Sequence, residues 1–127
     1  MPAHRDFHDG QVLIAEERMS LLDLDTACNA PPELDAANFL AHVALRQHEG
    51  SACGWGRIGT AFLAGHAAEA GCAALDPRRL HWYEASALLR LACVYAFRPR
   101  WGDLSSVLVR EAGLRLGLHP MDGRHCE

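Results

Sequence analysis

His4-Arg5-Asp6-Phe7-His8-Asp9-Gly10-Gln11 is followed by Val12-Leu13-Ile14, the polar Glu16-Glu17-Arg18, Met19-Ser20-Leu21-Leu22, and then Asp23-Leu24-Asp25. Two short apolar runs around a polar turn make the pattern of a β-hairpin, here spanning Gln11 to Asp25. A hairpin doubles the chain back on itself, so the polar groups before it and the carboxylates after it come to lie side by side. The densest polar chemistry in the sequence therefore flanks a single local fold.

Beyond the hairpin the pattern becomes helical. Asn29-Ala30-Pro31-Pro32 forms a turn with proline at a helix start, and Glu33 to about Gln47 runs on good helix formers until His48-Glu49-Gly50. This helix is apolar around most of its circumference, which predicts a central, buried position. A second helix is expected from about Gly54 to Ala70, where Trp55, Ile58, Phe62 and His66 recur at helical spacing. Asp76-Pro77 is an N-cap followed by an N1 proline and opens a third helix, about Pro77 to Phe97. Pro99 ends it, and Asp103 is expected to cap a last helix that stops near Gly117. The fold class expected is thus α+β and mainly α-helical, one N-terminal β-hairpin followed by about four helices. Residues 1–28 would hold the loop and hairpin, 29–118 a helical subdomain, and 119–127 a polar tail. Trp55, Trp82, Tyr83 and Trp101 read as packing residues, and His42 and His66 as satisfied core histidines.

Composition narrows the chemistry. The chain has 127 residues, half of them apolar, a length that fits one domain. Its net charge of −4 offers no broad cationic field for nucleic acid. All 12 basic residues are Arg, and there is no Lys. No lysine ammonium is available for Schiff-base chemistry or for phosphate binding in a P-loop or kinase strand. Cys28, Cys53, Cys72, Cys93 and Cys126 are far apart, odd in number and without a Cys-x-x-Cys pair, so neither a disulfide scaffold nor a zinc ribbon is expected. They read as small core residues. No basic-then-apolar leader and no apolar run of membrane-spanning length are visible, and a cytoplasmic location is the expectation.

Phosphoryl transfer to a hydroxyl needs a carboxylate to orient the hydroxyl or accept its proton, and oxygen ligands that hold Mg²⁺ against nucleotide phosphates. A loop reading H-x-D-x-x-x-x-N, then a strand, a turn and a second strand ending in Asp, gathers those groups at one hairpin. His4, Asp6, Gln11 and Asp23 occupy those places. Here the sequence resembles the aminoglycoside phosphotransferase and choline-kinase-like family, whose catalytic lobe is shared with protein kinases. The resemblance continues through Leu21 to Ala27 and Pro32 to His42, and less specifically through Asp76 to Tyr83 and the helix after it.

The resemblance implies a C-terminal lobe of a protein-kinase-like fold. It makes Asp6 the catalytic base and Asp23 the principal Mg²⁺ ligand, with Gln11 standing where the family usually has Asn. Glutamine offers the same amide oxygen on a stem one methylene longer. Asp35, at the start of the following helix, and His4 would support the loop structurally. The implied cofactors are Mg²⁺ and ATP or GTP. The implied partner is a small-molecule hydroxyl substrate such as an aminoglycoside or amino alcohol, lying against the helical subdomain near acidic residues such as Glu84.

A complete kinase of this type also carries an N-terminal sheet, a phosphate-covering loop and a strand Lys. None precedes His4 here, so the expectation is a truncated lobe, inactive alone, with a missing or separately encoded N-lobe as partner. An exposed apolar surface around the hairpin would follow. Two other readings stand beside it: a non-catalytic binding module or pseudoenzyme, and a metal-dependent hydrolase built around His4, Asp6 and His8.

Overall fold

The structure is a computed structural model that describes residues 1–50, 54–69, 71 and 73–118. It is α+β and mainly helical. The order is β1 (Pro2–Ala3), β2 (Val12–Ala15), β3 (Arg18–Leu21), β4 (Cys28–Asn29), α1 (Glu33–His48), α2 (Trp55–Ala68), α3 (Pro77–Ala96) and α4 (Gly102–Arg115). The expected tail, 119–127, lies outside the described residues, as do Cys53, Cys72 and Cys126.

The hairpin is β2 and β3, antiparallel, with Val12 opposite Leu21 and Ile14 opposite Met19. The two-residue turn Glu16-Glu17 joins them, Glu16 taking a left-handed φ of 55°. Leu22 N–H donates to the Gln11 carbonyl at 2.9 Å, extending the pairing to the mouth of the hairpin. A second antiparallel pair, β1 with β4, was not expected, because two residues a side are too few to show a period of two. It joins the ends of the whole 4–27 segment into one closed loop.

Among the described residues the core lies between three helices. Leu45 of α1, Leu88 and Leu91 of α3, and Leu104 and Leu108 of α4 are all buried. α1 is amphipathic in an unusual way: Ala37, Ala41 and Leu45 are fully inside, and so are the polar Glu33 and Asn38. The other side of α1 receives α2, whose buried Gly59 allows close approach, since a Cβ there would meet Leu40 and Val43 at 3.4 Å.

Each helix boundary has a local cause. Glu33 and Asp35 lie in the first turn of α1, and Arg46 and His48 in its last, matching the helix dipole at both ends. α2 starts after Gly54, in the left-handed region at φ 63°. Asp76 caps α3 by accepting the N–H groups of Arg78 at 2.8 Å and Arg79 at 3.1 Å, which holds its carboxyl below the usual range. α4 begins two residues earlier than expected. A 3₁₀ turn, Pro99–Trp101, runs straight into it, so Trp101 takes the cap position and Asp103 falls in the first turn.

Two expectations about burial are corrected. Cys28 and Cys93 are exposed, not core: Cys28 sits in the outer strand of a two-stranded pair, and Cys93 faces away from the α1–α4 seam of α3. Trp82 is 59% exposed and meets Tyr83 edge-on at 5.1 Å, so it is not a core packing residue. Around the hairpin, Ile14 and Met19 are 77% and 71% exposed, and Leu13, Leu22 and Leu24 are also open, forming an apolar surface.

Candidate functional site: a loop read by one helix

Residues 4–9 run from β1 to the hairpin along one stripe of α1. Asp35, Asn38, His42 and Arg46, spaced three and four residues apart, occupy that stripe. Asp35 takes the backbone N–H of His4 at 2.6 Å and of Arg5 at 2.8 Å, one on each carboxylate oxygen. Those two bonds brace Arg5, whose φ is 73°. Asn38 donates to the Phe7 carbonyl at 3.0 Å, and its own oxygen accepts from Arg90 of α3 at 2.7 Å. The His42 ring stacks on His8 with centroids 4.3 Å apart. Arg46 Nε reaches Asp9 at 3.0 Å and its Nη1 reaches Glu49 at 2.8 Å. Glu49 in turn accepts from Tyr95 of α3 at 2.8 Å. Apolar contact completes the docking: Phe7 stacks on Phe39 of α1 at 5.3 Å, and Phe39 meets Phe62 of α2 in a tilted contact at 4.5 Å.

His4 is buried and fastens the loop to the chain just after β3, at the mouth of the hairpin. Its Nε2 lies 2.7 Å from the Leu22 carbonyl, and its own carbonyl accepts from the Thr26 hydroxyl at 3.1 Å. Asp6 is half exposed, with one carboxylate oxygen 3.5 Å from Arg90 and the other 3.7 Å from His8 Nε2. Gln11 and Asp23 meet across the hairpin mouth, the Gln11 amide donating to an Asp23 carboxylate oxygen at 3.4 Å. Asp23 is exposed and takes a left-handed conformation at φ 56°, ψ 57°, where the chain leaves β3. A left-handed residue there turns the chain out of the strand.

Beneath the loop lies an apolar cavity of about 550 Å³, lined by Ala3, Phe7, Leu21, Leu24, Phe62 and His66 among others. A cavity of about 260 Å³ between α1 and α2 reaches Glu84 and Arg115. Glu84 is not a free acidic group for a cationic substrate: it is buried and bound by Arg115 Nε at 2.6 Å.

The histidines depart most from expectation. His4, Asp6 and His8 do not converge, because His4 points to the Leu22 carbonyl. Among the described residues the one His/Cys/Asp/Glu group able to place three donor atoms within 4.8 Å of one another is His8, Asp9 and His42. His42 is not a satisfied core histidine, since its Nε2 is buried without a hydrogen-bond partner. Burial, aided by the positive charge of His8 and Arg90 and opposed by Asp9 and Asp6, pulls its pKa down to about 4. Asn38 and Arg46 were missed by sequence reasoning. The signal was present in the Asp35, Asn38, His42, Arg46 spacing, a polar stripe along a helix that reads as apolar nearly all round.

No protein-family model, curated protein or solved structure matches this chain.

Proposed function

We propose that the chain is the catalytic-loop lobe of a small-molecule phosphotransferase, the C-terminal lobe of a protein-kinase-like fold, acting on a hydroxyl of an acceptor such as an aminoglycoside or amino alcohol. The observation that carries this reading is the meeting of the Gln11 amide with the Asp23 carboxylate across the hairpin, beside a loop bearing Asp6.

The residues suit Mg²⁺. Gln11 and Asp23 carry hard oxygen donors at an open surface, the Gln11 amide turning its oxygen in place of the nitrogen that now faces Asp23, and Mg²⁺ takes few protein ligands while keeping several waters. These two residues would hold the ion, which supplies charge neutralisation at the phosphates of ATP or GTP. Asp6 would accept and orient the acceptor hydroxyl, held between Arg90 and His8. Asp35 and Asn38 fix the backbone on which Asp6 rides, and that positioning matters because phosphoryl transfer depends on it almost entirely. With no Lys in the chain, the cation that pairs with the α- and β-phosphates must come from a separate nucleotide lobe. That requirement, with the exposed apolar hairpin, equally supports a non-catalytic module that docks a partner.

Titration with ATP or GTP, with and without Mg²⁺, tests the reading. Binding is expected to require Mg²⁺, to vanish in Asp23→Ala and to survive in Asp6→Ala. Supplied with a nucleotide lobe, Asp6→Ala is expected to lose about 10²- to 10⁴-fold in turnover. Nucleotide binding indifferent to both Mg²⁺ and Asp23 would sink the metal assignment, and wild-type turnover in Asp6→Ala would sink the base.

A further inference from the structure

His8, Asp9 and His42 each bring a ligand atom to one spot at the foot of the loop, within 4.8 Å of one another. Two of the groups there have no partner: Asp9 Oδ1 and His42 Nε2 are both buried and unbonded. Burying polar atoms without partners is costly, and two at the same spot point to something that satisfies both. We propose that these three residues form a binding site for a zinc-class divalent metal ion that pins the loop to α1.

The donor set is two imidazoles and one carboxylate, with a fourth position left for water, which suits Zn²⁺ and not Mg²⁺. His8 Nδ1 faces Asp9 Oδ1 at 3.9 Å, and it would exchange the N–H of Gly10, now at 3.1 Å, for the metal. Tetrahedral zinc with bonds of ~2.0–2.1 Å needs its donors ~3.4 Å apart, so on binding the His8 and His42 rings, stacked 12° from parallel, must tilt open to turn both nitrogens onto one ion. The surroundings already orient the ligands. Arg46 holds the other Asp9 oxygen at 3.0 Å, and Asp6 stands 3.7 Å behind the second nitrogen of His8, where a carboxylate fixes the tautomer of a metal-bound imidazole. Arg46 and Arg90 oppose a cation, and the three neighbouring carboxylates of Asp6, Asp9 and Glu49 outnumber them. The site is separate from Gln11 and Asp23 and does not rest on the phosphotransferase reading.

The test is titration of the metal-stripped full chain with Co²⁺, read by the visible absorption of tetrahedral cobalt, then displacement with Zn²⁺. One equivalent is expected, displaced by Zn²⁺ and not by excess Mg²⁺. His8→Ala and Asp9→Asn should abolish the signal while keeping native circular dichroism, and Asp6→Asn should weaken affinity about tenfold. His42→Ala should do as His8→Ala does, and His8→Ala carries the test if His42→Ala does not fold. Asp23→Ala and Cys28→Ser/Cys93→Ser should retain full uptake, which separates this site from the hairpin mouth and from the exposed thiols. No stoichiometric uptake by the wild type, uptake that survives His8→Ala, or displacement by Mg²⁺ would overturn the proposal.

Discussion

Asp35 uses both carboxylate oxygens on the N–H groups of His4 and Arg5, and no other side chain on α1 holds two successive backbone amides of the loop. Hydrogen bonds to a charged acceptor contribute about 1.5–3 kcal/mol each, not fully additively. Asp35→Ala is therefore expected to lower unfolding free energy by about 2–4 kcal/mol in urea, and Asp35→Asn, which keeps one acceptor, by roughly half that. The resemblance led to the expectation that Asp35 and His4 support the loop. It gave no hint of Asn38 or Arg46, because amide and guanidinium groups on a helix ordinarily read as a solvated face. Only the partner segment, some thirty residues upstream, shows what they bind. His42 was misjudged for a related reason: an imidazole among apolar neighbours looks satisfied until the ring stacked on it, His8, is seen.

The elements themselves were largely legible. The hairpin and four helices follow from alternation, capping and proline placement, with boundaries that differ by a residue or two. The β1–β4 pair was not legible, since two residues a side carry no visible period, and it is seen only with the Asp35 and Thr26 hydrogen bonds to the adjoining His4. Elements also differ sharply in what they contribute. Leu88 of α3 is fully buried at the meeting of α1, α3 and α4, and Leu88→Ala is expected to cost about 2–5 kcal/mol by leaving a cavity. Ile14 projects from the hairpin into solvent, so Ile14→Ser should shift unfolding by no more than about 0.5 kcal/mol. The same denaturation series reads both. Equal losses would mean that the hairpin face is covered.

At the scale of the molecule, buried Glu33 links the start of α1 to the start of α3. It accepts the Asp76 N–H at 2.9 Å and Arg79 Nη2 at 3.1 Å. Burial alone would raise its pKa, but the bonds from Asp76, from its own backbone N–H and from Arg79 outweigh that and hold it below the usual 4.5. A carboxyl lowered on folding contributes stability that is complete above its unfolded pKa and is lost as pH falls through the folded value. Glu33→Gln should thus be less stable than wild type at pH 7, by about 1.5 kcal/mol, and the gap should narrow as pH falls below 4.5. A gap that does not narrow on acidification would exclude the charge as its cause. No described helix is long and apolar enough to cross a membrane.

The stripe on α1 also bears on the order in which the chain organises. Its partners at residues 4–9 lie 30 to 37 positions away along the chain, so the loop cannot settle until the helix has formed and docked. In native-state hydrogen exchange, the amides of His4 and Arg5 should therefore open together with α1 and not with the solvent-exposed hairpin beside them. The loop then has no stability of its own: it lends its shape to a candidate site only for as long as one helix stays wound.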